Sequence, residues 1–373
     1  MKKFLSGFFI ILFLGASTLG FFVYRRYTRN PEQTFPYPYR FTSDAPGISL
    51  DAPILIVGDR MGAYLAKFQA ELAATISQDL MKNIKVQSLA KDGHALHRTL
   101  HELKSLSQWP QIVIYQGASE EYREEKFIPA QIPKIVNNFK LYDDDRIQTF
   151  LILYPWLSRI IYEPLHLVQF TDALPPYKAP EEDQFLKRME MEIRLFEKQL
   201  QQLVIQSRDR NSLLILTTTP VNLEVPPHKV CQFTTTIEIE KGIREAEEML
   251  KNENLKGALA KTSKLVQIYS GNARLYYVHG QVLTKLSQVD EAKNAFLQAS
   301  AYDCDPWRGT EIQNSIIRKV AKNQQVLLFD FAEMVNMGWS ESPRFFDEIY
   351  PQNVVYEGAM KQLGLVIKNI LKL

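Results

Sequence analysis

The stretch Ala52-Pro53-Ile54-Leu55-Ile56-Val57-Gly58-Asp59 decides how the fold is interpreted. Its uninterrupted apolar run is typical of a short strand that is buried on both faces, as strands are in a parallel sheet. The glycine and aspartate end the run, and a helical pattern follows from Met61 to about Leu80. A strand, a loop and a helix in this order predict the first unit of an α/β fold.

The same pattern recurs along most of the chain. Further runs predict strands at Ile84–Leu89, Gln111–Tyr115, Thr149–Leu153, Ser212–Leu216 and Val326–Phe331. Because strands and helices alternate, we expect a three-layer αβα fold with a parallel sheet between two layers of helices, similar to flavodoxin. Ligands of such folds bind at the carboxyl ends of the strands. The loops to consider are therefore Gly58–Arg60, Lys91–Gly93 and Gln116–Ser119.

The alternation stops between residues 233 and 305, where helical spacing takes over. Residues 272–305 resemble one tetratricopeptide hairpin, with small and aromatic residues at its packing positions: Tyr276, Gly280, Ala292, Phe296 and Ala299. About one and a half such units are visible, too few for a free-standing solenoid. We therefore predict a helical insertion at 233–305 between two parts of one α/β domain, residues 51–232 and 306–373.

The N-terminus predicts a membrane anchor. Lys2 and Lys3 precede an uncharged run, Phe4–Tyr24, that is long enough to cross a bilayer. A cleaved signal peptide is the alternative, but the apolar run is longer than such peptides need. We expect a transmembrane helix within residues 1–29, a linker at 30–50, and a single-pass protein of a bacterial inner membrane with its soluble body in the periplasm.

Composition excludes several classes of protein. The chain has 373 residues, a formal net charge of +2 and 2 cysteines. A near-neutral charge argues against a nucleic-acid partner, which requires a concentrated basic face. Two thiols exclude a four-thiolate zinc site.

Cys231 and Cys304 flank the helical insertion. Because the two ends of an insertion must return to neighbouring points on the host domain, we predict a disulfide between these cysteines. The alternative is two free thiols.

The loop motifs resemble those of the SGNH/GDSL hydrolase family over residues 52–373. That family has Gly-Asp-Ser after its first strand, and here the residues are Gly58-Asp59-Arg60. Gly93 matches a glycine of the family's oxyanion hole, and Ser119 stands where an asparagine completes it. The late Asp-x-x-His-Pro motif of the family corresponds to Asp347-Glu348-Ile349-Tyr350-Pro351. The resemblance implies a degenerate site formed by six residues: Asp59, Arg60, Gly93, Ser119, Asp347 and Tyr350.

Esterase chemistry is not expected from these residues. A guanidinium cannot act as a nucleophile, and a phenol is a poor base at neutral pH. We predict no intact catalytic set, no cofactor and no metal. His94, His97 and His101 share one face of a helix, but a single helix rarely supplies a complete metal site.

Arg60, Gly93 and Tyr350 remain candidates for binding an unidentified small molecule or glycan. The alternative is that Arg60 forms an internal ion pair with Asp347 or Glu120.

Three hypotheses about function follow. The first is a membrane-anchored, hydrolase-like protein of the cell envelope that lacks esterase activity and binds or scaffolds other components. The second is an active SGNH-type ester hydrolase or acyltransferase, working on envelope glycans or lipids with a rearranged site. The third is a protein-interaction adaptor that binds its partner through the helical insertion.

Overall fold

A computed structural model describes residues 13–24, 34–44, 47–80, 83–177 and 181–371. The chain divides into two compact units. The first unit comprises residues 1–43 and 125–173, and the second comprises residues 44–124 and 174–373. The second unit contains every residue of the predicted site.

A five-stranded parallel sheet lies at the centre of the second unit, in the order β3-β2-β4-β6-β7. Its strands, in chain order, are β2 (Ile54–Gly58), β3 (Val86–Ser88), β4 (Ile112–Gln116), β6 (Leu213–Thr217) and β7 (Leu327–Phe329). Successive side chains of a strand point to opposite faces. Leu55 and Val57 therefore enter one apolar core, while Ile54 and Ile56 enter another.

Helices cover both faces of this sheet. Residues 13–24 are helical and are labelled α1. The 14 further α-helices among the described residues are α2 (Arg60–Leu65), α3 (Gln69–Leu80), α4 (Leu96–Lys104), α5 (Ile132–Tyr142), α6 (Asp145–Leu153), α7 (Ser158–Ile161), α8 (Glu182–Asp209), α9 (Ile237–Lys251), α10 (Leu255–Ile268), α11 (Ala273–Lys285), α12 (Val289–Ala301), α13 (Glu311–Asn323), α14 (Phe331–Asn336) and α15 (Asn353–Leu371). Side chains of α4, α8 and α13 fill the core that contains Leu55. Side chains of α2, α3, α14 and α15 fill the core that contains Ile54.

Four of these helices, α9 to α12, form a helical array between β6 and β7. Side-chain oxygens cap three of them at the N-terminus, from Thr236, Asn254 and Asn272. Such caps satisfy backbone N–H groups that have no partner within the helix. Gly280 allows α11 and α12 to approach closely, since a Cβ at this position would lie 2.7 Å from the ring of Phe296.

The first unit has its own small sheet and aromatic core. Strand β1 (Tyr39–Phe41) pairs in parallel with β5 (Val168–Phe170). The ring of Phe35 contacts the rings of Phe139 and Tyr142, with centroids 4.9 and 5.3 Å away. Part of the predicted linker at 30–50 is therefore ordered into a strand and an aromatic contact.

The structure corrects the predictions for the N-terminus. No helix among the described residues is long and apolar enough to cross a membrane. The predicted fold class, which included a transmembrane helix, is wrong: the described chain is 57% helical, with the helices and five-stranded parallel sheet given above. The predicted single-pass inner-membrane localisation is wrong for the same reason. Residues 4–12 of the predicted span lie outside the described residues.

One predicted strand is also wrong. Thr149–Leu153 belongs to α6, which begins at Asp145. The side chain of Asp144 accepts hydrogen bonds from the backbone N–H groups of Arg146 and Ile147 and caps this helix. A short apolar run fits a strand or a buried helix equally well, and here the cap determines which forms.

Candidate functional site

The ends of β2 and β4 meet at the point where the loops of the predicted site begin. Gly58 pairs with Gln116 at the last position of the ladder. Its φ is +134°, and a Cβ there would lie 1.7 Å from the carbonyl oxygen of Gln116. Only glycine adopts this conformation at so close an approach. The chain therefore turns sharply and places Asp59 beside the loop that follows β4.

Asp59 connects the two loops. One carboxylate oxygen accepts a hydrogen bond from the backbone N–H of Met61 at 2.8 Å. The other accepts from the backbone N–H and hydroxyl of Ser119, at 2.6 and 2.7 Å, and from the backbone N–H of Glu120 at 3.1 Å. The side chain is buried, and burial raises the pKa of Asp59 to about 6, against the effect of these donors. Asp59 therefore accepts hydrogen bonds from backbone N–H groups that an oxyanion hole would need in order to bind a substrate oxygen.

Arg60 lies next to Asp59 and forms an ion pair within the protein. Its Nε lies 2.9 Å from a carboxylate oxygen of Glu120 and 3.3 Å from the hydroxyl of Ser119. Its Nη2 donates to the backbone carbonyl of Trp307. The side chain is 16% exposed. Of the two partners considered for Arg60, the structure selects Glu120 and not Asp347.

Glu120 has a second cationic neighbour, Arg123, whose Nη1 lies 3.6 Å from its other carboxylate oxygen. Burial raises the pKa of Glu120 to about 7, although both arginines act to lower it. Arg123 also lies against Gly93: a Cβ at Gly93 would lie 3.3 Å from its Nε. Arg123 does not belong to any of the motifs found in the sequence, although its position three residues after Glu120 is a spacing at which opposite charges can pair.

The predicted late motif does not supply an acid and a base. Asp347 accepts hydrogen bonds from the backbone N–H groups of Ile349 and Tyr350, at 2.8 and 2.6 Å, and so fixes its own loop. The ring of Tyr350 stacks on Tyr64 with centroids 4.5 Å apart. Burial raises the pKa of the Tyr350 hydroxyl, although the charge of Arg60 acts in the opposite direction. A phenol with a raised pKa stays protonated at neutral pH and cannot serve as the base.

Among the described residues of this site, Ser119 is the one hydroxyl that donates a hydrogen bond to a carboxylate. It is 4% exposed, donates to Asp59 and lies beside Arg60. The preceding residue, Ala118, is buried with φ +93°, a conformation that is strained for a residue with a Cβ. Local backbone strain often occurs at sites that bind or react. The structure thus brings Asp59, Arg60 and Ser119 into contact, and adds Glu120 and Arg123 to them.

Two of the three histidines, His94 and His97, lie next to glutamates. His97 places Nε2 at 2.8 Å from Glu124, which also binds the guanidinium of Arg98. These two partners hold the pKa of Glu124 at about 2, despite its burial. His94 lies 3.7 Å from Glu102, and burial lowers its pKa to about 4. Among the described residues, no group of three or more histidine, cysteine or acidic side chains is placed to hold a metal ion.

The ends of the helical array are tied together. Cys231 and Cys304 form a disulfide, with Cα atoms 5.4 Å apart. The backbone N–H of Cys304 donates to the carbonyl of Lys229 at 2.9 Å, and the carboxylate of Asp303 accepts from the N–H groups of His228 and Lys229. These contacts hold the two ends of the array next to each other.

A groove of about 430 Å³ opens on the helical array. Several side chains from each of α10, α11 and α12 line it, including Val266, Tyr276, His279 and Glu291. A volume of this size is within the range of sites that bind ligands. The repeat pattern of the sequence predicts a packing role for Tyr276, and the structure places it among the residues that line this groove.

Comparison with known proteins identifies no relative. No protein-family model matches the chain, and no curated protein matches it. No solved structure matches it either.

Proposed function

We propose that this protein is a non-catalytic binding protein, in which a hydrolase-like α/β frame supports a helical array that binds another molecule. The single observation that carries the proposal is that the hydrogen-bond donors and the arginine of the central site already have partners within the protein. Asp59 takes up the donors at the ends of β2 and β4, and Arg60 is paired with Glu120. The protein's own groups thus satisfy the site that would stabilise an oxyanion.

The missing reactive pair supports the same conclusion. Acyl transfer needs a nucleophile and a base within hydrogen-bond reach of each other, together with an unoccupied set of donors. Arg60 and Tyr350 stand at the positions where the resemblance would place the nucleophile and the base. Losing either group of such a pair lowers rates by several powers of ten.

Hydrolysis of a short-chain nitrophenyl ester by the full chain tests this proposal. We expect wild-type protein to hydrolyse the ester no faster than Ser119→Ala, and neither to exceed the rate of Ser207→Ala. Ser207 is the matched control, since it is a buried serine that donates to a backbone carbonyl of α8. Turnover in wild type that is lost only in Ser119→Ala contradicts the proposal.

That contrary outcome would favour a second function, an esterase or acyltransferase in which Ser119 is the nucleophile. The observation in its favour is the 2.7 Å hydrogen bond from the Ser119 hydroxyl to Asp59, whose pKa of about 6 leaves it largely ionised at neutral pH. Arg60, at 3.3 Å from the same hydroxyl, would stabilise negative charge. The burial of Ser119, at 4% exposed, argues against access by an ester.

A further inference from the structure

The groove on the helical array has an uneven distribution of charge. Its apolar lining includes Leu259 and Val266 of α10, and α12 contributes polar side chains, among them Glu291 and Asn294. Glu291 is exposed and forms no salt bridge among the described residues. Apart from His279, it is the only acidic or basic side chain among the described residues that line the groove. The groove therefore has an unpaired negative charge beside an apolar surface.

The state of His279 adds a second hydrogen-bond acceptor. The hydroxyl of Thr262 donates to the carbonyl of Ala258 at 2.9 Å, so its oxygen is left to accept from Nδ1 of His279, also at 2.9 Å. Nδ1 therefore carries the proton, and Nε2 is the acceptor. Burial lowers the pKa of His279, which keeps the imidazole neutral at neutral pH.

We propose that this groove binds a peptide segment in which an apolar side chain lies next to a lysine or arginine. The apolar side chain packs against Leu259 and Val266, and the cationic group reaches the carboxylate of Glu291 and the acceptor nitrogen of His279. A basic partner satisfies both acceptors, whereas an acidic partner meets like charge at Glu291. This inference rests on the proposed binding role and identifies the class of partner.

Fluorescence anisotropy with defined peptides tests the proposal. The probes are three fluorescein-labelled peptides that share one leucine-containing glycine–serine sequence and differ only in carrying lysine, glutamine or glutamate beside the leucines. With the full chain at physiological salt, we expect the lysine peptide to bind tightest and the glutamate peptide weakest. Glu291→Lys should weaken binding of the lysine peptide by roughly fivefold, the size of one exposed charge pair, and should improve binding of the glutamate peptide.

Asp290→Lys is the matched control. Asp290 neighbours Glu291 in the first turn of α12, is exposed and does not line the groove, so the variant makes the same change in net charge and at the same helix end. Because Asp290 is not among the residues that line the groove, we expect Asp290→Lys to keep the wild-type order of affinities.

Three results overturn the proposal: no binding of the lysine peptide, equal affinity for all three peptides, or the same change in Asp290→Lys as in Glu291→Lys. Each of these concerns the groove alone. If the protein does not hydrolyse the ester and any of these three results is found, the groove is rejected as a basic-peptide site. The proposal that the central site is non-catalytic is then unaffected.

Discussion

At the scale of single residues, two glycines of this chain should respond to alanine with opposite signs. Gly58→Ala places a Cβ 1.7 Å from a backbone oxygen at φ +134°, and we expect it to lower the free energy of unfolding by about 3 kcal/mol or more. Gly358 lies within α15 with no atom within 4 Å of a Cβ, so Gly358→Ala should raise it by about 0.5–1 kcal/mol. Urea unfolding measures both, and equal effects would show that Gly58 is not held as described.

The buried Glu120 makes a prediction about pH. Its pKa is about 7 in the folded protein against a usual value of 4.5, so the folded state takes up a proton that the unfolded state does not between these values. By linkage, this group makes the protein more stable as the pH falls through that range. Between pH of about 8 and about 5, the free energy of unfolding of wild type should rise by up to about 3 kcal/mol more than that of Glu120→Gln.

Urea titrations of both proteins at the two pH values measure this difference directly. Asp59 and His94 also titrate with shifted pKa values, so the comparison with Glu120→Gln isolates the contribution of one group. Parallel pH dependences in the two proteins would contradict a raised pKa at Glu120.

The sequence shows which residues meet at the central site better than it shows how they are bonded. The pattern of strands predicts that Gly58-Asp59-Arg60 and Ser119 meet, because loops at the carboxyl ends of adjacent parallel strands lie together. The sequence does not show that Asp59 accepts four hydrogen bonds, or that Arg60 pairs with Glu120 and not Asp347. Those outcomes depend on the exact conformation of the loop, including the positive φ of Ala118, and no residue pattern specifies it.

At the scale of elements, the disulfide should stabilise the ends of the helical array. Cys231 and Cys304 close a loop with a sequence separation of 73, for which chain entropy gives about 4 kcal/mol. We expect the double variant Cys231→Ala with Cys304→Ala to lose that much free energy of unfolding. Reductant should lower the free energy of unfolding of wild type by a similar amount and leave that of the double variant unchanged. The same free energy of unfolding for wild type with and without reductant would contradict this prediction.

Sequence patterns identify the long elements better than the short ones. Strands β2, β4 and β6, of five residues each, are predicted because apolar runs of that length in parallel sheets are distinctive. Strand β1 has three residues and follows a proline-rich stretch, a pattern that predicts a linker. Thr149–Leu153 has the composition of a strand, but the cap at Asp144 starts a helix before it. Here a local hydrogen bond decides between two structures that the apolar pattern allows equally.

At the scale of the whole molecule, the two compact units should lose structure separately. Phe139 is a buried core residue of the first unit, and Leu200 is one of the second. Each change to alanine should cost about 2–5 kcal/mol locally. Native-state hydrogen exchange should show faster exchange in α5 for Phe139→Ala and faster exchange in β4 for Leu200→Ala, each without the other. Equal acceleration of both elements in either variant would show one cooperative unit.

The position of the helical array between β6 and β7 has a consequence for synthesis on the ribosome. β6 ends at Thr217, and its partner β7 begins only at Leu327. At about 5–20 residues per second, the partner strand emerges several seconds or more after β6 is complete. The intervening helices are rich in local contacts and fold far faster than this. The array can therefore form before β7 arrives, so that the last strand of the sheet joins a largely assembled protein.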